Sequence, residues 1–321
     1  MFDVYEVRMG HVWVWSMWIL LCVVYVVCFT MCLVKVCMLS SVYVIMYAIY
    51  DEHIVLYSNP IKHILLFQMN SMPNFNYENS KEITIRMRTI LVDWLIEVHY
   101  KYKLFPATLW LTVNLLDRYL EHTKVLRNSL QLVGITSMLV ACKFEEFRAP
   151  SVQDFVSLTD KAYTQQQILD MEFSLLNALN YSLLVPTSHH FMQRYLQRIH
   201  ATERVRLLTY YLAERTLQEK DIFDYTPQVY AAAAVYTALR VTNFESGVVG
   251  EVWCSGLVEE TGLNVSAVNP CARVLLFNAT QVPVSSTRRK LEAVRKKYNT
   301  KSTQFVSEII LPSVEAVSYT H

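Results

Sequence analysis

Glycine is scarce in this 321-residue chain, which has only six. Hairpin turns and bulges draw heavily on glycine for positive φ, so a turn-rich β architecture is excluded. Neither sign of charge is in excess, with 29 Lys plus Arg against 28 Asp plus Glu. A chain so nearly neutral has no general footprint for a polyanion, and any partner surface must be local. None of the seven cysteines forms a CxxC pair. Cys22, Cys28, Cys32 and Cys37 share one apolar stretch, while Cys142, Cys254 and Cys271 stand singly. This spacing supports neither a metal centre nor a disulfide framework, and it suits a reducing compartment. GxSxG, a phosphate-cradling glycine loop and HExxH are all missing. The histidines, including His189 and His190, fall in no catalytic spacing pattern. No active site and no cofactor are expected.

Charge is missing altogether from Val12 to Val34, a run of 23 residues, and again from Val36 to Tyr50 after the single Lys35. As a helix the first run would reach about 34 Å, enough for a hydrocarbon core of about 30 Å. Asp3 and Glu6 precede it where a signal peptide would carry basic residues. Three readings stay open: a membrane anchor, a helix buried or covered by a partner, and a non-coding stretch carried into the reading frame. The narrow Val, Trp, Cys, Met, Tyr and Leu composition motivates the last.

What the rest has is helical periodicity. From Met87 to Val98, apolar residues at 87, 90, 91, 94 and 98 form one stripe, and Val92, Leu95 and Ile96 form a second. Pro106 suits a first helical position ahead of Leu109, Val113, Leu116 and Leu120. The run Leu130 to Phe144 is apolar nearly all round, with Gly134, Ser137 and Ala141 where neighbours could approach closely, so it is expected to be a central helix. Pro150-Ser151 opens a fourth helix, and Thr164 with Gln167 has capping-box spacing ahead of a fifth. After Pro186-Thr187 the periodicity restarts near His189 to Ile199, Glu203 to Leu217, Gln228 to Arg240, Gly250 to Glu259 and Val265 to Phe277. Two runs of five helices, each with one small-residue helix, predict a duplicated all-α fold.

Particular strings now carry a resemblance. MRTILVDWL from Met87, DRYL from Asp117, LQLVG from Leu130 and CKFEE from Cys142 resemble the cyclin box. NYSLLVP from Asn180, YLAERTL from Tyr211, PQVYAAAAVY from Pro227 and KKYNTKS from Lys296 continue it. The match runs from about Asn74 to Pro312 and lies nearest the A and B groups of mitotic cyclins. It implies two tandem five-helix cyclin-box folds, at 78–185 and 186–312. The apolar segment 1–50 and a helical lead-in 51–77 precede them, and a tail 313–321 follows.

The resemblance also implies a role: a non-catalytic subunit that activates a cyclin-dependent protein kinase by gripping its mobile regulatory helix. Lys143 and Glu172 match the pair that bonds main-chain groups of that helix, and Val140, Phe144, Tyr181 and Leu183 match its apolar socket. Met87, Ile90, Leu91, Trp94, Glu97, Leu130 and Gln131 match a docking patch for kinase substrates and inhibitors. Arg88 and Asp117 match an internal charged pair of the scaffold. The expected location is the nucleus and cytoplasm, with membrane association if 12–34 is a genuine anchor.

Two features pull elsewhere. Every RxxL string, Arg127 to Leu130 among them, falls within the stretch that resembles the cyclin pattern and none precedes it, which leaves regulated destruction without a recognisable signal. Arg288, Arg289, Lys290, Arg295, Lys296, Lys297 and Lys301 cluster with only Glu292 opposing, as a cyclin-fold transcription or nucleic-acid-binding factor would require. That cluster coincides with the basic terminal helix of the cyclin pattern, so no nucleic-acid partner is expected.

Overall fold

The computed structural model of the protein describes residues 72–73, 82–247, 252–280, 291–309 and 311, and these are helical, without strands. The apolar runs at 12–34 and 36–50 and the basic residues 288–290 lie outside the described residues. Among the described residues, no helix is long and apolar enough to cross a membrane.

Helix α1 (Ile85–Tyr102) begins where the Thr84 hydroxyl accepts from the Met87 N–H and ends at Lys103 in the left-handed region. Helix α2 (Pro106–His122) has proline in its first turn, where an N–H is not needed. A 3₁₀ turn (Arg127–Ser129) leads into α3 (Leu130–Glu145). Ser151 and Asp154 form a capping box for α4 (Val152–Leu158), as Thr164 and Gln167 do for α5 (Gln165–Ala178). The second half repeats the count with α6 (Ser188–Arg198), α7 (Glu203–Leu217), α8 (Pro227–Glu245), α9 (Ser255–Thr261) and α10 (Val265–Thr280). A short α11 (Ala293–Tyr298) follows. The expected helix Gly250 to Glu259 is displaced: α9 starts after Cys254 and stops at Gly262, whose φ of 66° suits glycine. The arrangement is the expected one, two tandem five-helix units.

Each half is built around its small-residue helix. Helix α3 packs against the other four helices of its half, and α8 packs against α6, α7 and α10. Gly134 shows why small residues are placed there: a β-carbon on it would lie 2.9 Å from both terminal methyls of Leu91 on α1. Both residues are buried, so neither can yield cheaply. Gly134→Val is expected to lower stability by about 1–3 kcal/mol through overpacking. Urea unfolding reads this, and Leu91→Ala in the same chain should return part of the loss.

A polar seam joins the halves. The buried Arg88 guanidinium pairs with both carboxylate oxygens of Asp117 on α2, at 2.7 and 2.8 Å, and reaches the carbonyls of Leu217 and Gln218 at the end of α7, at 3.1 and 3.4 Å. The Phe223 ring centroid lies 4.8 Å from its central carbon. Thr89 donates to the same Gln218 carbonyl, and the Gln218 side chain donates to Asp93 at 2.6 Å. Asp93 also accepts from the Ala293 N–H at the start of α11. Lys297 and Tyr298 of α11 in turn donate to the buried Glu214 of α7. Helices α1, α7 and α11 are thus tied by bonds between residues far apart in the chain, where low dielectric makes each satisfied bond strong.

Burial raises the Asp93 carboxyl to about 6, against the lowering effect of its bonds to Gln218 and Ala293; Glu97 raises it further and Arg215 lowers it. The folded form therefore takes up a proton before the unfolded chain does. The stabilisation this brings is full below the unfolded value near 4 and is lost as pH rises through about 6. Relative to Asp93→Asn, the unaltered chain is expected to gain stability between pH 7 and pH 5. Urea midpoints at the two pH values check this; an equal change in both chains would contradict it.

Candidate functional site

The end of α3, the middle of α5 and the turn after α5 converge on one face. Lys143, in the last turn of α3, donates to both carboxylate oxygens of Glu172 on α5, at 2.5 and 2.7 Å. Both side chains are partly accessible. Val140, three residues earlier on α3, is buried, and Phe144 and Leu183 are half-buried and packed on the core. Tyr181 is 57% exposed. The structure thus gathers all six residues of the expected kinase-binding set on these three neighbouring segments.

Three further apolar side chains near these residues in the chain are exposed. Phe147, just past α3, is 82% exposed and Phe173, beside Glu172, is 65% exposed, with Leu184 also open to solvent. Sequence reasoning missed them. A signal was available in Phe173, a large aromatic set off the buried Ile168 and Leu175 line of its own helix. A charged pair that can hold two main-chain groups, ringed by exposed aromatic and aliphatic anchors, is an arrangement suited to capturing a helix from another protein.

Two acidic residues support this edge. Glu146 accepts from the Phe105 N–H and the Thr108 hydroxyl, both at 2.6 Å, which caps α2 and anchors the chain leaving α3. Glu145 is pushed up to about 7 by burial and by the neighbouring Glu146. Burial also raises the Cys142 and Cys271 thiols, which makes them inert core residues.

The second expected site lies about 20 Å away, the rise of the residues between Leu130 and Lys143 on α3. Ile90 is 52% exposed and Glu97 is exposed, while Met87, Trp94 and Gln131 are half-buried. Leu91, only 6% exposed, and Leu130 lie below that surface. Of the residues matched to the docking patch, Leu91 turns inward onto Gly134, so the accessible part is Met87, Ile90, Trp94 and Glu97 with Gln131. Arg88 and Asp117 sit in the seam between the halves, away from solvent. In the basic cluster, Lys297 is committed to Glu214 and Lys296 lies 3.5 Å from Glu292. Among the described residues, no group of His, Cys, Asp and Glu could hold a metal ion.

Paired five-helix units define a class of fold, and comparison with known proteins places the chain in a family with that fold. The cyclin N-terminal domain matches residues 61–184 and the cyclin C-terminal domain matches residues 186–312, so the chain belongs to the cyclin family. Among its relatives, Cyclin-B2-4 of Arabidopsis thaliana is 40% identical over 239 residues, covering 74% of this chain and 53% of the relative. The G2/mitotic-specific cyclin-1 of Medicago sativa subsp. varia is 49% identical over 157 residues, covering 49% of this chain and 37% of the relative. The chain spans about half the length of such relatives, or less. In fold it is similar to a viral cyclin from herpesvirus saimiri, with a TM-score of 0.56 and 18% identity over 78% of this chain and 98% of that one.

Proposed function

We propose that this chain is a regulatory subunit that binds and activates a cyclin-dependent serine/threonine kinase in mitotic control, acting in the nucleus and cytoplasm. The observation that carries the proposal is the partly accessible Lys143–Glu172 pair, which joins α3 to α5 at segments that also carry Phe144 and the exposed Phe173, Tyr181 and Leu184. Lys143 can turn from Glu172 to a carbonyl at one end of a kinase helix while Glu172 accepts from an N–H at the other, and the apolar side chains supply desolvated area. The names of the relatives, a B2-type cyclin and a G2/mitotic-specific cyclin, support the mitotic assignment. Activation follows by differential binding: a partner that fits only the active kinase conformer shifts the population toward it. Titrating the full-length chain against purified cyclin-dependent kinases tests the proposal. Saturable binding by at least one kinase, with its phosphotransfer activity rising in parallel, is expected. Binding without any rise in activity would contradict it.

The α1 patch is assigned to recruiting substrates or inhibitors of the kinase. Its exposed Ile90 and half-buried Met87 and Trp94 offer apolar contact, and Glu97 supplies the charge for a basic side chain. Trp94→Ala is expected to weaken binding of a short basic peptide bearing a leucine by about tenfold, the scale of losing one aromatic anchor. Fluorescence anisotropy of a labelled peptide reads this, and basal activation of the kinase should be unchanged.

A further inference from the structure

The turn that leaves α5 is held in an unfavourable shape, and one buried side chain fastens it. Asn180 and Tyr181 both have left-handed backbone, with φ of 48° and 56°. Two successive residues with β-carbons in that region are strained, and a bulky aromatic is an unusual occupant. Such strain persists only where surrounding contacts over-determine it. The backbone contributes bonds from Asn180 N–H to Asn177, from Tyr181 N–H to Leu176 and from Ser182 N–H to Leu179, at 2.9 to 3.0 Å. The fastening comes from α2: an Nη of Arg118 donates to the Ser182 carbonyl at 2.9 Å, with Asn114 Oδ1 3.3 Å from the same nitrogen.

Arg118 is buried, whereas Ser182 and its neighbours Tyr181 and Leu184 are exposed. Burial disfavours its charged form and lowers its pKa, which the nearby Glu121 opposes. A guanidinium taken out of water and bonded to a carbonyl of an exposed turn has a positional role that packing alone does not require.

We propose that Arg118 is a positioning residue for the kinase-binding face, acting by holding the 180–184 turn so that Tyr181, Leu183 and Leu184 are presented in one rigid arrangement. This rests on the kinase reading of that face. Without the bond, the strained pair relaxes, the turn samples other shapes, and binding must re-order it.

Two measurements on the full-length chain separate the claims. Hydrogen exchange, followed by mass spectrometry on the unbound chain, should show amides of 180–184 exchanging about tenfold faster in Arg118→Met, with α1 and α8 unchanged; tenfold is the scale of one lost charge-assisted hydrogen bond. Arg118→Lys, which keeps a buried cation and a donor, should fall between, and it serves if Arg118→Met does not fold. Against a kinase that the unaltered chain binds, Arg118→Met should weaken affinity about tenfold. That loss should vanish in a Tyr181→Ala, Leu183→Ala, Leu184→Ala background, since nothing is left to position. Exchange that rises throughout the chain, or an affinity loss that persists in that background, overturns the proposal. Failure of every kinase to bind the unaltered chain would instead sink the kinase reading, with the exchange result still deciding whether Arg118 orders the turn.

Discussion

Replacing Arg88 by leucine is expected to lower the stability of the chain by about 3–5 kcal/mol, the cost of leaving a buried charge without its partner. Asp117 would keep a carboxylate in a site with almost no access to water, and the carbonyls of Leu217 and Gln218 would lose their donor. A loss of that size is a large share of the 5–15 kcal/mol that holds a typical domain folded. The effect should reach beyond α1 because Arg88 bonds to the end of α7 in the other half. Urea unfolding followed by circular dichroism would show it. The Arg88→Leu, Asp117→Leu pair should be more stable than Arg88→Leu alone, because replacing both partners removes the orphaned charge. A single substitution costing under 1 kcal/mol would mean that the pair is not what joins the halves.

Lys143 and Glu172 make an ion pair of similar geometry, yet the same substitution logic predicts the opposite result. Both side chains meet solvent, and pairs of that kind contribute about 0–1 kcal/mol. Exchanging them, Lys143→Glu with Glu172→Lys, lets the pair re-form across α3 and α5 and should leave the unfolding curve nearly unchanged. The polarity offered to a kinase helix is then reversed, with a carboxylate facing a carbonyl and an ammonium facing an N–H. Kinase affinity should fall by about 3 kcal/mol, roughly a hundredfold. Isothermal titration of the exchanged chain against the kinase checks this. Retained affinity would show that the pair serves the fold alone.

Much of the fold could be read from local signals because helix ends carry their own chemistry. Thr164 and Gln167 stand at the spacing a capping box needs, and both reciprocal bonds are present at 3.2 and 2.8 Å. The small residues of α3 foretold a close approach, which Gly134 makes to Leu91. Periodicity identifies an apolar face without saying what covers it. For that reason the stripe that holds the exposed Ile90 also holds the buried Leu91, and no pattern marks Phe147, Phe173 and Leu184 as exposed. The α1, α7 and α11 seam was illegible for a related reason: Ala293 and Asp93 are 200 residues apart, and no local pattern announces such a bond. The start of α9 was misplaced because its Cys254 cap makes no side-chain bond that a sequence could advertise.

Phosphotransfer itself is the most direct test of whether the Lys143–Glu172 pair serves to activate a kinase. Full-length chain, unaltered or carrying Lys143→Ala with Glu172→Ala, is added to purified cyclin-dependent kinases and phosphate transfer to a peptide substrate is followed. Activity that appears with the unaltered chain and collapses with the variant, while both chains unfold at similar urea concentrations, is the predicted result. Equal activation by the two chains would contradict it.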